Sequence, residues 1–220
     1  PNGVVRKSVH LGWSELPLKT EVENATGVPV IVGNDTNAAL VAERFFGDCS
    51  PNSMLISIGR GVGAALCLND VIIEEFLTAG EIAHVVVDPN GPICECGKQG
   101  CLESFVSGDR LQQRISQDPA ARTHILTEAG ALLGRVMAIP AGLLDLRDIS
   151  VYGAPEIVNT QFIDAMENEI SRTVTTDYQE APQIHRCRQG EDLTLRGQAT
   201  IVIRTLVPTI HERGSLIGEA

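Results

Sequence analysis

The pattern of apolar and polar positions changes several times along the chain, and each change marks an element. "VPVIVGND", Val28 to Asp35, is an apolar run that reaches a glycine at Gly33, which predicts a buried strand, a turn and the start of a helix. The helix follows as Asn37 to Phe46, and Gly47 supplies its stop. "SMLISIGRGVGAALCLNDVIIEEF" reads as a hairpin: two apolar strands flank glycines at 59, 61 and 63, and Asn69-Asp70 makes the next turn. Residues from His84 to Cys101 are rich in glycine and proline and read as a loop. Glu103 to Ile115 is predicted helical, and Thr123 to Leu144 a long helix kinked by Pro140. "ISVYG", Ile149 to Gly153, is a short buried strand. Amphipathic helices are predicted from Glu156 to Thr173 and from Leu195 to Val207. Strands and helices mix, with at least one strand-to-helix crossover, so the fold class is α/β.

Composition narrows the setting. A chain of 220 residues, 43% of them apolar, can build one large core or two modest lobes. Glycine, proline or charge interrupts every apolar run, so no membrane span is expected. The opening "PNGVVRKSVHLGW" lacks the apolar stretch of a signal peptide, and the cytoplasm is the expected compartment, where disulfides are disfavoured. Pro1 is not an initiator methionine, which suits a numbering that begins inside a longer protein. A net charge of −11 repels phosphate backbones. Any contact with DNA is therefore expected through a basic segment outside these residues.

Against that background the thiols stand out. "HVVVDPNGPICECGKQGC", His84 to Cys101, holds three of the six cysteines in its last eight residues. Short spacing gathers soft donors cheaply, because closing a small loop costs little entropy. Cys94, Cys96 and Cys101 supply three sulfurs, His84 a nitrogen, and Gly97 and Gly100 let the backbone wrap tightly. Three Cys and one His make a closed tetrahedral zinc site, structural rather than hydrolytic. An iron–sulfur cluster and a set of free thiols are the alternatives. Cys49, Cys67 and Cys187 are scattered and read as core residues.

"GEIAH", Gly80 to His84, followed by "CECGKQGCLE", Cys94 to Glu103, resembles the signature of the ROK family of repressors, open reading frames and sugar kinases. "LGW" and "LPL" between Leu11 and Leu18, and "GNDTNAA" from Gly33 to Ala39, also sit where that pattern expects them. The resemblance implies that His84 binds zinc and faces a sugar. It further implies a hexose-binding set at Asn34, Asp35, Glu81, His84 and Glu103. The zinc would then fix a loop whose ends carry Glu81 and Glu103. In the kinases the aspartate at the position of Asp35 is the general base. Taken alone, Asp35 reads better as a helix N-cap, Glu81 and Glu103 as surface carboxylates, and His84 as a core histidine.

The nucleotide side is where the chain departs from the kinases. "SIGRGVGAA", Ser57 to Ala65, keeps Gly59, Gly61 and Gly63, a candidate phosphate turn if ATP and magnesium bind. Arg60 stands where the kinases carry threonine, and Ala64 where they carry glycine. After the "ISVY" strand the kinases have consecutive glycines against the adenosine. This chain has Gly153, Ala154, Pro155 and Glu156, whose side chains narrow such a slot. No Asp-x-Gly-Gly-Thr phosphate loop is present within these residues. Sugar residues retained and nucleotide residues altered resemble the regulator branch, of the NagC/XylR type, more than the kinases, as does "LTLRGQATIVI", Leu193 to Ile203.

The resemblance implies an actin-like, ribonuclease H-like ATPase fold. Residues 1–46 would form part of a smaller lobe, 47–189 the larger zinc-bearing lobe, and 190–220 a C-terminal helix returning toward the smaller lobe. The function it implies is the effector-binding and oligomerisation region of a sugar-responsive transcriptional regulator with structural zinc. The protein would be a homodimer or tetramer, meeting DNA through an N-terminal helix-turn-helix outside this chain. The alternative is an ATP-dependent sugar kinase with Asp35 as base, and a zinc-stabilised oligomerisation domain without a small ligand is a third reading.

Overall fold

A computed structural model of the chain describes residues 3–8, 11–74, 80–174, 180–187, 190 and 192–207. It opens on an antiparallel hairpin, β1 (Val5–Ser8) with β2 (Trp13–Leu16), followed by α1 (Leu18–Thr26) and α2 (Asp35–Phe46). Next come β3 (Ser53–Ile58), β4 (Val62–Leu68) and β5 (Val71–Ile72). The cysteine loop leads to α3 (Glu103–Val106), α4 (Gly108–Gln117) and α5 (Arg122–Leu143). The chain continues through β6 (Asp148–Gly153), α6 (Thr160–Val174), β7 (Gln183–Arg186) and α7 (Leu193–Leu206).

The main sheet runs β5-β4-β3-β6-β7. β3, β4 and β5 are antiparallel neighbours, as the predicted hairpin requires, with Asn69 and Asp70 both at positive φ in the second turn. β6 pairs parallel to β3 and β7 parallel to β6, each reached by a helical crossover. β3 explains the layering. Met54, Ile56 and Ile58 point into one core with Leu126, Leu133 and Met137 of α5 and Phe162 and Met166 of α6. Leu55 points the other way, into a second core with Leu40 of α2 and Leu193 of α7. A strand buried on both faces carries a near-continuous apolar run, which is why "SMLISI" does not alternate.

Three expectations are corrected. The run from Val28 to Val32 forms no strand; it joins no ladder among the described residues, the Val30 N–H donating instead to Glu23 Oε1 at 3.0 Å, and Val28 and Ile31 are 57% and 45% exposed. An apolar run becomes a strand only where a ladder partner lies beside it. The helix expected over Glu103–Ile115 is two helices broken at Ser107, whose backbone turns extended so that the Gly108 N–H can meet the Gly59 carbonyl at 2.8 Å. The helix expected from Glu156 starts at Thr160. Residues from Ala154 to Val158 instead form a turn, and Asn159 Oδ1 accepts the Phe162 N–H at 3.1 Å. One helical stretch, Pro119–Leu143, is long and apolar enough by length and composition to cross a membrane, but half of its most apolar window is buried inside the protein, as in a core helix. The ends of the "IIEEF" segment and of the last predicted lobe, and the boundary at residue 189, lie outside the described residues.

Candidate metal centre and ligand cleft

The loop from His84 to Cys101 is pinned at three places by its own backbone. Val86 and Cys101 form a bridge, Ile93 and Gln99 form another, and the Cys94 N–H donates to the Lys98 carbonyl at 2.8 Å. Gly100 is required where it stands. Its φ is +73°, and an added Cβ would lie 1.5 Å from the Asp88 carbonyl oxygen. The Lys98 ammonium donates to the His84 carbonyl at 2.6 Å and ties the two ends together.

These constraints gather the donor atoms of His84, Cys94, Cys96 and Cys101 within 4.8 Å of one another. Cys94 Sγ lies 3.6 Å from His84 Nδ1, and Cys96 Sγ lies 3.6 Å from Cys101 Sγ. Zinc bonds of about 2.3 Å to sulfur and 2.0 Å to nitrogen, at tetrahedral angles, place two sulfurs about 3.8 Å apart and a sulfur and a nitrogen about 3.5 Å apart. The thiols are far too distant for a disulfide, at about 2.05 Å, and correctly spaced for a shared ion. Cys94 and Cys101 are buried, Cys96 half-buried. Burial, then hydrogen bonds to Cys96 and Cys94, push the Cys101 thiol up to about 12. Burial also raises Cys96, but hydrogen bonds from the Lys98 backbone, Cys94 and Cys101 outweigh it and bring that thiol below its ordinary value. The residues fit a metal, and it is the donor set, three sulfurs and an imidazole, that suits zinc.

Beside the quartet lies a cleft of about 880 Å³. Asn34, Asp35, Glu81, His84 and Glu103 all border it, although 69 residues separate the first from the last. The geometry revises two of the plain readings. Asn34, not Asp35, is the N-cap of α2: its side chain accepts the Asn37 N–H at 2.9 Å. Asp35 is the first helical residue, exposed, with Oδ1 accepting the Thr36 N–H at 2.8 Å. Glu103 is no surface carboxylate. It is 7% exposed, and its Oε2 accepts the Val62 N–H at 3.0 Å. Its Oε1 lies 3.9 Å from Cys94 Sγ. One carboxylate thus joins the cysteine loop, the start of β4 and the cleft. His84 turns Nδ1 toward Cys94 and also borders the cleft.

Gly59, Gly61 and Gly63 form the far wall. The Gly59 N–H donates to the Gly61 carbonyl at 3.0 Å across the tip of the turn. Gly63 is the contact point with α2: an added Cβ would lie 2.5 Å from Thr36 Oγ1, so glycine lets the Asp35 end of the helix approach the sheet. Pro155 is elsewhere. It borders a separate pocket of about 430 Å³ with Asn159 and Arg186, at the end of β6. Three basic side chains that the motif pattern did not assign also border the cleft, Arg6, Lys7 and Lys98, alongside Arg60. Lys98 carried one signal, its place between two candidate ligand cysteines; Lys7 carried none.

A mixed sheet between helical layers is shared with actin-like sugar kinases. The ROK family model matches residues 1–205, and the chain belongs to the ROK family. Among curated relatives, a glucokinase of Halalkalibacterium halodurans is 42% identical over 109 residues, 48% of this chain and 33% of its own length. A putative xylose repressor of a Caldicellulosiruptor species is 37% identical over 117 residues, 52% of this chain and 29% of its own. Each match thus spans about a third of the relative. Among solved structures, a ROK glucokinase from Streptomyces griseus, in complex with glucose and AMPPNP, superposes with a TM-score of 0.80 at 25% identity, covering 91% of this chain and 76% of that one. A ROK transcriptional regulator homologous to the Escherichia coli MLC protein superposes with a TM-score of 0.77 at 26% identity, covering 91% and 58%. The relatives therefore include both kinases and repressors.

Proposed function

We propose that this chain is the effector-binding region of a sugar-responsive transcriptional regulator. The observation that carries the reading is the shared cleft. Asn34, Asp35, Glu81, His84 and Glu103 offer a ring of acceptors and one imidazole of the kind that hydroxyl recognition needs, beside a loop suited to zinc. His84, Cys94, Cys96 and Cys101 would hold the ion, whose part is to cross-link the loop and so fix Glu81, His84 and Glu103 before a ligand arrives. Altered residues on the nucleotide side support the regulator over the kinase: Arg60 fills the tip of the glycine turn, and Pro155 stiffens the bend after β6. Residues 1–46 and 190–220 would form one lobe and 47–189 the other. Ligand binding would favour their closure only by as much as it prefers the closed state. The protein would act as a homodimer or tetramer in the cytoplasm and reach DNA through a helix-turn-helix beyond this chain.

One observation favours a second reading, an ATP-dependent sugar kinase. Asp35 is not the cap of α2, is exposed, and borders the same cleft as Gly59, Gly61 and Gly63. It could take a proton from a sugar hydroxyl, with the glycine turn and magnesium serving ATP. The two readings part in a coupled ATP-consumption assay with a hexose panel. A regulator forms no ADP above the sugar-free blank. Sugar-dependent ADP that disappears in Asp35→Asn would replace it with the kinase.

A further inference from the structure

Holding zinc, the quartet would be an anion. Three thiolates and a neutral imidazole around a doubly charged ion leave one negative charge in excess. The surroundings add to it. Glu103 is 7% exposed with Oε1 3.9 Å from Cys94 Sγ, and Glu95 stands between two of the ligand cysteines in sequence. The whole chain carries −11. An anion beside a carboxylate, where water is scarce, is costly unless a cation stands close by.

The cations around the loop differ in what holds them. Arg6 pairs with Glu15, and Arg110, which borders a side pocket with Cys94 and Glu95, donates to Gln113. Lys98 is fixed at both ends. Its backbone carbonyl accepts the Cys94 N–H at 2.8 Å, and its ammonium donates to the His84 carbonyl at 2.6 Å. That carbonyl oxygen lies 3.7 Å from Cys101 Sγ, so the ammonium and this sulfur are within about 6.3 Å of each other. The separation is inside the roughly 8–10 Å over which salt water leaves charges unscreened. Lys98 is exposed, so its own charge keeps most of its hydration while the sulfurs are buried or half-buried. A tie to a backbone carbonyl needs only a donor. An ammonium brings a charge as well, on the side of the loop where the thiolates gather.

Resting on the metal reading above, we infer that Lys98 is the counter-charge of the metal centre, a positioning residue that raises zinc affinity through its ammonium and not only through its tie to His84. The test is zinc titration of the whole chain in competition with a chromophoric chelator, on the parent and three variants. Lys98→Gln keeps a donor and gives up the charge, Lys98→Met gives up both, and Lys98→Arg keeps both. The glutamine and methionine variants should bind zinc about 10- to 100-fold more weakly, and the arginine variant should stay near the parent. Because the charge is exposed, the gap between parent and Lys98→Gln should narrow as salt rises from about 0.05 M to about 0.5 M. The visible absorption of the cobalt-substituted proteins reports the ligand set and should be the same in all four. A Lys98→Gln variant that matches the parent in zinc affinity, or a gap that salt leaves unchanged, overturns the inference and leaves Lys98 a structural tie. An altered cobalt spectrum in Lys98→Gln overturns it too, since a lost ligand would then account for the weaker binding. If the parent chain takes up no zinc, it is the metal reading itself that fails.

Discussion

Glu103 does two jobs, and they can be separated. Its carboxylate is 7% exposed and accepts the N–H of Val62, itself 8% exposed. In Glu103→Ala that N–H loses a charged acceptor in a place water reaches poorly, and a hydrogen bond to a charged group contributes about 1.5–3 kcal/mol. For a domain of this size each kcal/mol moves the melting temperature by about 2–4 °C, so the variant should melt about 3–12 °C below the parent. Glu103→Gln keeps an amide oxygen able to accept the same N–H and gives up only the charge. It should lose about 1 kcal/mol and melt nearer the parent than the alanine variant. Differential scanning calorimetry without ligand reads both, and zinc per chain measured on the same samples excludes metal loss as the cause. A Glu103→Ala variant that melts within a degree of the parent, or a glutamine variant that falls as far as the alanine one, would rule out this role for the carboxylate.

Three further outcomes follow from the geometry. The protein as purified should carry about one zinc per chain by elemental analysis, and Cys101→Ser should lose it and melt at least about 8 °C lower, loss of a structural metal being among the large single-site effects; full zinc in that variant would rule out the quartet. Gly63→Ala should push the start of α2 away from β4, because its Cβ would lie 2.5 Å from Thr36 Oγ1, costing about 1–3 kcal/mol in urea unfolding; unchanged stability would show that Thr36 yields freely. Cys67 is fully buried, and burial raises its thiol from 9.0 to about 11. The folded state then holds a proton that the unfolded chain has released, so its stabilisation is complete below pH 9 and is lost as pH rises through 11, at about 1.4 kcal/mol per pH unit between them. Cys67→Ala should flatten that decline in urea titrations at pH 8 to 11, and identical slopes would count against it.

The parts of the fold legible in the sequence are those fixed by local rules. Glycines at 59, 61 and 63 between apolar runs, Asn69-Asp70 at a tight turn, and three cysteines within eight residues each carry their meaning without long-range information. What the chain hides depends on partners distant in sequence. Val28 to Val32 is apolar enough for a strand, but no described strand lies beside it. Ser107 breaks a helix because Gly108 is needed by Gly59, 49 positions away. At two helix starts the local signal was present and assigned to the wrong residue: Asn34 rather than Asp35 caps α2, and Asn159 stands ahead of α6. The candidate site follows the same division. Its metal ligands are neighbours and could be recognised together. The burial of Glu103 and the close approach of Gly63 to Thr36 exist only once β4, α2 and the cysteine loop have met.

The claim on which the rest depends is that this cleft binds a sugar through residues brought together from α2 and the cysteine loop. Isothermal titration of the protein with hexoses and their phosphates, alongside Asp35→Asn and Glu81→Gln, tests it most directly. Both side chains are exposed, so neither change should disturb the fold. At least one sugar should bind, and each substitution should weaken it about 10- to 100-fold, the loss of one charged hydrogen bond, while the melting temperature stays within a degree or two. Binding that both variants retain in full, or no binding by any sugar to a protein that carries its zinc, would contradict it.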